Sequence, residues 1–204
     1  GAHCGRRSDV PLTDLIVIVP SYERPKAAHQ LFGSFLQTRQ GDSMIRFALW
    51  RHDRTLREYE GLPASVVGEE TMTARTNAVA KWATEKGKYI GWVADDNRFR
   101  SVGWDREVLS ALQDVPIVFG NDEVSPGSKP SHVFMDARIV KTLGWIVHPD
   151  LRSTFFDDVW ANLGAGPIDV SRPLFERDAL PSWSRLRQAV SRSDNGLGLV
   201  YLPN

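Results

Sequence analysis

Residues 89–97 read YIGWVADDN, an apolar run of strand length that ends at two adjacent carboxylates, Asp95 and Asp96. An apolar run bounded by a polar break is typical of a buried strand in a parallel sheet. In open α/β sheets, ligands bind beyond the carboxyl ends of the strands, which is where this pair would lie. Oxygen ligands suit Mg²⁺ or Mn²⁺ better than zinc, and such an ion would be shared with nucleotide phosphates. The alternative is an ordinary polar turn or the N-cap of a short helix.

The composition indicates one domain with a sizeable core. The 204 residues include 42% hydrophobic and 25% charged residues, which is the usual range for globular proteins. The formal net charge is zero, so the overall balance does not indicate a nucleic-acid or membrane partner. Cys4 is the only cysteine, so we expect no disulfide framework, no cysteine-based metal site and a cytoplasmic location. No apolar stretch approaches the roughly 20 residues of a membrane span.

Strand and helix patterns alternate along the chain. Thr71 or Thr73 can cap a helix that Gly87 would end, and Asp105 is expected to cap another. Expected strands cover residues 15–20, 45–50, 89–94, 116–119, 131–136 and 167–170, and expected helices cover 26–38, 73–86, 105–113, 137–143 and 155–164. The alternation predicts an α/β fold, a mostly parallel central sheet flanked by helices. One domain would span residues 11–181, with an arginine-rich helical tail at 182–204.

Two segments carry a recognisable pattern, the opening strand and loop LIVIVPSYERP at residues 15–25 and the acidic turn ADDN at 94–97. They resemble the start and the metal-binding acidic motif of family 2 glycosyltransferases of the GT-A fold, a Rossmann-like single domain. The segments VGWD at 102–105, FGND at 119–122 and FFDDVW at 155–160 are similar to motifs of small glycosyltransferases from actinobacterial phages. The resemblance implies a metal-dependent, inverting transfer of a sugar from a nucleotide sugar, expected to be a UDP-sugar.

The resemblance also implies roles for individual residues. Asp157 would be the catalytic base that deprotonates the acceptor hydroxyl, and Asp96 would bind Mn²⁺ or Mg²⁺. Asp95 would lie near the ribose or share the ion, and Asp53 would contact the base. The other residues expected to contact the nucleotide sugar are Ser21, Tyr22, Arg24, Arg75 and Asn77.

One departure from the family pattern concerns the metal. Members often carry a His near the end of the domain as a further ligand, but this chain has no His after His148. Glu176 or Asp178 could replace that ligand, metal binding could be weaker, or Arg177 could offset phosphate charge instead. The sequence does not choose among these.

Alternative functions stay open at this stage. A nucleotidyltransferase would also use an acidic pair and a metal, but residues 21–25 lack the Gly-rich phosphate loop expected after its first strand. A nucleotide-sugar-binding module that has lost catalysis would explain the missing His, whereas the presence of both Asp96 and Asp157 favours an enzyme. The acceptor implied by the phage resemblance is a hydroxymethylated pyrimidine in DNA, within the host cytoplasm, or otherwise a protein or glycan. No membrane partner is expected.

Several candidates also have a structural interpretation. Arg75 could be a solvent-facing helix residue, and Asp157 could be present only because acidic residues are favoured in the first turn of a helix. His132 is expected to be hydrogen-bonded scaffold. Trp104 could belong to the core or face a sugar. A tertiary structure is needed to decide these cases.

Overall fold

The computed structural model describes residues 13–120, 131–151, 156–162, 166–167 and 175–177. Within these ranges the strands are β1 (Thr13–Pro20), β2 (Ser43–Trp50), β3 (Ala64–Val67), β4 (Gly87–Trp92), β5 (Asn97–Phe99), β6 (Ile117–Phe119), β7 (Val133–Asp136), β8 (Gly166–Pro167) and β9 (Phe175–Arg177). The helices are α1 (Pro25–Thr38), α2 (Met72–Ala83), α3 (Trp104–Asp114), α4 (Ala137–Leu143) and α5 (Phe156–Asn162). A 3₁₀ turn covers Leu56–Tyr59. The predicted tail at 182–204 lies outside the described residues.

Seven of these strands form one sheet in the order β3-β2-β1-β4-β7-β6-β8. The pairs β1–β2, β1–β4, β2–β3 and β6–β8 are parallel, and within the described part of this sheet only β7 runs antiparallel to its neighbours. The predicted α/β fold with a mostly parallel sheet is therefore confirmed. The order also places β1 between β2 and β4, so the carboxyl ends of these three strands meet at one edge of the sheet.

Strand β1 is buried on both faces, which explains its unbroken apolar sequence. Its residues Leu15 and Val17 pack in the core layer under α1 and α3, whereas Ile16 and Ile18 pack in the opposite layer under α2, α4 and α5. Residues 15 to 19 are all 0% exposed. Because its side chains enter both core layers, β1 is the centre of a three-layer α/β/α core. Burying each of its large aliphatic side chains contributes roughly 1.5–3 kcal/mol to stability.

One of the helix-end assignments, Thr71 as the N-cap of α2, is confirmed. Pro25 begins α1, and the Thr71 side chain accepts a hydrogen bond from the Ala74 backbone N–H at the start of α2. Gly144 follows α4 in the left-handed conformation, with φ 80°, that favours glycine at a helix end. Gly87 was assigned wrongly, since it opens β4 instead of ending a helix.

The assignment of Asp105 as an N-cap was also wrong. Gly103, with φ 79°, takes the N-cap position of α3. The Asp105 carboxylate instead accepts hydrogen bonds from the backbone N–H groups of Gln40, at 2.9 Å, and Gly41, at 2.8 Å, and from Ser43 Oγ, at 2.6 Å. Because this carboxylate is fully buried, it ties α3 to the turn that enters β2.

Residues 97–99, which the sequence pattern did not mark as a strand, form β5 and pair antiparallel with β9. This two-stranded unit starts immediately after Asp96. Among the described residues, no helix is both long and apolar enough to cross a bilayer.

Candidate active site at the carboxyl edge of the sheet

The candidate site is assembled from the segments that follow β1, β2 and β4. Ser21 comes directly after β1, Asp53 three residues after β2, and Asp95 three residues after β4. Each of these polar side chains is at least nine-tenths buried. Buried polar groups that converge at the carboxyl ends of parallel strands are the usual sign of a ligand site in an open α/β sheet.

Asp95 is held by two neighbours from the β1 loop. Ser21 Oγ donates a hydrogen bond to Asp95 Oδ2 over 2.7 Å, and Arg24 Nη1 lies 2.9 Å from Asp95 Oδ1. Burial raises the pKa of the Asp95 carboxyl, although the Ser21 hydrogen bond and the Arg24 charge oppose this rise. Ser21, Arg24 and Asp95, three of the site residues predicted from the sequence, therefore lie together in one cluster.

Asp96 differs from Asp95 in having an unused acceptor. Its Oδ1 atom is buried and has no hydrogen-bond partner among the described residues, while Oδ2 lies 3.9 Å from Arg24 Nη2. The next residue, Asn97, is also buried, and neither atom of its amide has a partner in the described part of the chain. Leaving such buried polar groups without a partner is costly, so these atoms are candidates for contact with a ligand.

These oxygens fit Mg²⁺ or Mn²⁺. Both ions prefer carboxylate, amide and water oxygens, and the candidates here are the carboxylates of Asp95 and Asp96 and the amide oxygen of Asn97. Among the described residues, no three His, Cys, Asp or Glu side chains form a group that could hold a metal by themselves. The protein ligands would therefore be few, and the phosphates of a bound nucleotide would supply the others.

Tyr59 organises the β1 loop, and no sequence signal pointed to it. Its hydroxyl lies 3.0 Å from Ser21 Oγ and accepts a hydrogen bond of 2.9 Å from the Arg24 backbone N–H. Burial raises the pKa of the Tyr59 hydroxyl, so it stays neutral and able to donate. Tyr59 lies in the 3₁₀ turn after β2, which could not be connected with Ser21 from spacing alone.

Asp53 connects the loops after β1 and β2. Its Oδ2 accepts a hydrogen bond from the Glu23 backbone N–H at 2.9 Å, and its Oδ1 accepts from the Thr55 N–H and hydroxyl, both at 2.8 Å. Burial opposes ionisation, but these bonds outweigh it and lower the pKa of the Asp53 carboxyl. Glu23 has a φ of 52°, which is unfavourable for a residue with a side chain. Asp53 therefore holds a strained turn at the site.

Arg75 on α2 is buried, so the interpretation as a solvent-facing residue is wrong. Its guanidinium lies 5.6 Å from the centre of the Tyr22 ring and donates a hydrogen bond to the Glu70 carbonyl. In the described part of the chain no carboxylate lies within 4 Å of it, and its Nε has no partner. Burial lowers the pKa of Arg75. A buried cation without a carboxylate is suited to bind an anionic ligand.

Tyr22 borders the site as part of a row of rings. Its ring centre lies 5.9 Å from that of Trp50, which in turn lies 5.4 Å from the His52 ring. Tyr22 is 43% exposed, an unusual exposure for an aromatic side chain. These rings offer an apolar surface beside the Arg75 cation, suitable for a planar group.

Asn77 is hydrogen-bonded to the backbone of Ile146 and Val147 and not to the residues around Asp95. Its Nδ2 donates to the Val147 carbonyl at 2.7 Å, and its Oδ1 accepts from the backbone N–H groups of Ile146 and Val147, both at 3.0 Å. Three of the four hydrogen bonds open to the amide are therefore made inside the protein. Its contact with a nucleotide sugar stays a prediction, and the structure does not bring it into the Asp95 cluster.

Helix α5 carries the predicted catalytic base. Asp157 lies in its first turn, and its side chain lies outside the described part of the structure. Val159 and Trp160 of the same helix are buried in the core layer that also contains Ile16 and Ile18 of β1. The role of Asp157 stays a prediction.

The segment at which the family often carries a further His lies beside the acidic turn. In the register of β5 with β9, Arg177 is opposite Asn97, and Glu176 is opposite Arg98. The backbone of β9 therefore lies next to Asn97, which follows Asp96 in the chain. Asp178 lies outside the described residues, and the side-chain roles proposed for Glu176 and Arg177 stay predictions.

Two structural interpretations are confirmed. His132 is fully buried, and its Nε2 accepts a hydrogen bond from the Gly120 backbone N–H at 3.1 Å. Trp104 is fully buried in the core layer between the sheet and α1, with its ring centre 4.4 Å from that of Phe99. Trp104 therefore belongs to the core and does not face a sugar.

Comparison with known proteins gives likenesses of structure alone. Neither a family model nor a curated protein sequence matches the chain. TarS of S. aureus, residues 1–349, matches with a TM-score of 0.61 at 13% identity, over 89% of this chain and 66% of that chain. The mannosyltransferase PcManGT from Pyrobaculum calidifontis, in complex with GDP-Man and Mn²⁺, matches with a TM-score of 0.60 at 13% identity, over 90% of this chain and 62% of that chain.

A third similar structure is glucosyl-3-phosphoglycerate synthase from Mycobacterium tuberculosis, in complex with Mn²⁺, UDP and phosphoglyceric acid. Its TM-score is 0.59 at 10% identity, over 88% of this chain and 75% of that chain. This chain spans somewhat less than two thirds of the length of the first two structures. At such identities the likeness establishes the architecture and not the activity. The chain has the Rossmann-like α/β fold of GT-A glycosyltransferases.

Proposed function

We propose that the protein is a metal-dependent glycosyltransferase that moves a sugar, with inversion, from a UDP-sugar to a hydroxyl group. The observation that carries the proposal is the buried pair Asp95 and Asp96 at the carboxyl edge of the sheet, with Asp96 Oδ1 lacking a partner among the described residues. The fold supports the same conclusion, because its similar structures include transferases solved with nucleotide sugars or nucleotides and Mn²⁺.

The donor would be bound by the groups that the β1 loop and α2 bring to this edge. Arg75, a buried cation without a carboxylate among the described residues, would pair with the diphosphate, and the exposed Tyr22 ring would pack on the base or ribose. Ser21 would keep its hydrogen bond to Asp95 and so orient the Asp95 carboxylate towards the ribose. Asp53 would act through the Glu23 turn that it holds, and the one remaining acceptor site on Oδ2 would accept a hydrogen bond from the base.

The metal would be held by Asp96, with Asp95 and the Asn97 amide oxygen as neighbouring oxygen donors. When bound, a divalent cation supplies positive charge against the departing diphosphate. Arg24 would contribute a second positive charge on the same side, because its guanidinium already lies against both carboxylates. The chain's own residues thus orient the donor and neutralise the charge that develops on it.

In the proposed reaction the acceptor oxygen forms a bond to the anomeric carbon as the bond from that carbon to the diphosphate breaks. Asp157 takes the hydroxyl proton, and UDP leaves with the bonding electron pair. Inversion follows from one displacement with the acceptor and the diphosphate on opposite sides of the sugar. The position of α5, packed on the same core layer as α2, supports Asp157 as the acceptor-side carboxylate.

For the acceptor we propose a hydroxymethylated pyrimidine in DNA. The support is the resemblance, expected from the sequence alone, of residues 102–105, 119–122 and 155–160 to motifs of small phage glycosyltransferases. The zero net charge argues against tight nonspecific binding, so the contact would be transient and local, through an exposed arginine such as Arg100. A protein or glycan hydroxyl is the other outcome of the same test.

The test is UDP release from a panel of UDP-sugars with Mn²⁺, with and without hydroxymethylated DNA. We expect DNA-stimulated release by the wild-type protein, and a loss of at least about 100-fold in Asp96→Ala and Asp157→Ala. Asp114→Ala, an exposed carboxylate on α3, is the matched control and should keep full activity. Release that does not depend on DNA would move the acceptor to a protein or glycan.

Two other results would replace the proposal. Pyrophosphate release from a nucleoside triphosphate, with no UDP release, would identify a nucleotidyltransferase. UDP-sugar binding without turnover on any acceptor would identify a binding module that has lost catalysis. The absence of both binding and release would overturn the transferase assignment.

A further inference from the structure

The dipeptide Ile146–Val147 connects α2 with α5 through its backbone. Asn77 of α2 accepts hydrogen bonds from both N–H groups, at 3.0 Å each, and donates to the Val147 carbonyl at 2.7 Å. Trp160 of α5 donates its indole N–H to the remaining Ile146 carbonyl at 3.1 Å. Two side chains from two helices therefore satisfy every backbone polar group of this dipeptide.

This connection is buried and is strengthened by packing. Ile146 is 0% exposed, Val147 is 1% exposed and Trp160 is 2% exposed. The Trp145 ring lies 5.6 Å from the Trp160 ring, and the Thr73 hydroxyl of α2 donates to the Leu151 carbonyl at the other end of the same loop. Because buried backbone groups need their partners, the loop cannot shift without losing several hydrogen bonds at once.

The two helices joined in this way carry residues with different proposed roles, donor binding on α2 and deprotonation of the acceptor on α5. Helix α2 carries Arg75, the proposed diphosphate ligand, only two residues before Asn77, and α5 carries Asp157, the proposed base, three residues before Trp160. Residues two positions apart point to different sides of a helix. Arg75 can therefore bind the donor while Asn77 bonds to the loop that contains Ile146 and Val147. A shift of α5 would change the distance between base and donor without touching the donor site.

We propose that Asn77 is a positioning residue that fixes the position of α5 relative to α2, through Ile146–Val147 and Trp160, and so sets turnover without setting donor affinity. The functional half of this inference rests on the proposed glycosyltransferase activity. Misplacing a reacting group by about 1 Å can cost on the order of 100-fold in rate. A direct donor contact by Asn77 would instead act on donor affinity.

The test uses two variants that each remove one hydrogen bond: Asn77→Asp preserves the shape of the side chain, and Trp160→Phe keeps an aromatic ring of smaller volume. Asn77→Asp keeps the acceptor for the two N–H groups but opposes a carboxylate oxygen to the Val147 carbonyl, and Trp160→Phe removes the indole donor. The matched control is Gln113→Glu, the same change from amide to acid on α3, whose Nε2 donates to Tyr89 and Leu109. Each protein is first checked for a cooperative thermal transition.

Turnover, donor affinity and backbone exchange are then measured on the full chain. We expect Asn77→Asp and Trp160→Phe to lower kcat by roughly ten- to 100-fold, with the Kd for UDP and Mn²⁺ within about twofold of wild type. Hydrogen exchange should rise in peptides covering 145–151 and 156–162 in both variants and in neither peptide of the control. A comparable loss of donor affinity, or an unchanged kcat in a folded variant, would overturn the inference.

The exchange measurement separates this inference from the proposed function. If the wild-type protein transfers no sugar, the proposed function fails, but increased exchange at 156–162 in Asn77→Asp would still support the connection between α2 and α5. If exchange at 156–162 does not change, Asn77 does not hold α5, and the inference fails even if the protein is a transferase.

Discussion

Arg24 lies against both carboxylates of the proposed metal site, with Nη1 2.9 Å from Asp95 Oδ1 and Nη2 3.9 Å from Asp96 Oδ2. Its side chain is 47% exposed, so it can move away without disturbing the core. The guanidinium therefore occupies a position in which it competes with a divalent cation and from which it can turn towards a phosphate.

Replacing Arg24 should strengthen metal binding in the absence of donor. We expect Arg24→Gln to bind Mn²⁺ roughly three- to tenfold more tightly, because a positive charge close to the carboxylates is removed, while screening by solvent limits the effect. The measurement is a titration of free Mn²⁺ by electron paramagnetic resonance. Arg54→Gln, which removes an exposed arginine paired with Glu23, is the control. Weaker Mn²⁺ binding in Arg24→Gln would contradict the competition.

Arg75 should show opposite effects on stability and on donor binding. In Arg75→Met the unfolding free energy should be unchanged or higher by about 1 kcal/mol, since a buried charge without a carboxylate among the described residues is removed. Affinity for UDP should fall by about tenfold or more. Urea unfolding and calorimetric titration measure the two quantities. Lys81→Met, on the exposed side of α2, should change neither, and unchanged UDP affinity in Arg75→Met would exclude the diphosphate role.

Asp53 should make stability depend on pH. Its pKa is lowered in the folded state, so its contribution is present above the ordinary carboxyl pKa of about 3.9 and is lost as pH falls through the lowered value. Asp53→Asn should cost about 1–3 kcal/mol at neutral pH, because an amide N–H then faces a backbone N–H. The difference from wild type should shrink in acid. Urea unfolding from neutral to acid pH, with Asp114→Asn as control, tests this; a difference that does not vary with pH would refute it.

Asp105 is expected to contribute to the stability of the fold but not to ligand binding. Asp105→Ala leaves the backbone N–H groups of Gln40 and Gly41 and the buried hydroxyl of Ser43 without their acceptor, which should lower the unfolding free energy by about 3 kcal/mol. Affinity for UDP and Mn²⁺ should stay within about twofold in the folded fraction. Asp114→Ala on the same helix should change neither quantity. A large loss of UDP affinity in folded Asp105→Ala would show that Asp105 also supports the site.

Two glycines should respond oppositely to the same substitution. A Cβ at Gly91 would lie 2.5 Å from Phe134 Cδ1, whereas one at Gly33 has nothing within 4 Å. Gly91→Ala should therefore cost about 1–3 kcal/mol by overpacking β4 against β7, and Gly33→Ala should gain about 0.5–1 kcal/mol of helix propensity in α1. Thermal unfolding of both variants tests the packing of β4, and equal effects would contradict it.

Much of the fold could be predicted because it depends on local pattern. The apolar run at residues 15–20 predicted β1, the helical spacing after Pro25 predicted α1, and the run before Asp95 predicted both β4 and the polar edge at its end. Periodicity and strand-ending residues are encoded within about ten neighbouring positions. Gly87 and Asp105 were misassigned because a capping residue and a strand-opening or buried residue can have the same local sequence.

The sequence by itself therefore determined strands β1, β2, β4, β6 and β7, the approximate extents of the helices, the sheet type and the position of Asp95 and Asp96 beyond a strand end, but not β3, β5 or β9. Only the tertiary structure decided that Tyr59 joins Ser21, that Arg75 is buried beside Tyr22, and that Asn77 bonds to a loop 70 residues later. These contacts follow from strand order and helix packing, which bring distant segments together. Local spacing carries no information on which segments meet, and so the partners of the site residues could be identified only once the sheet was assembled.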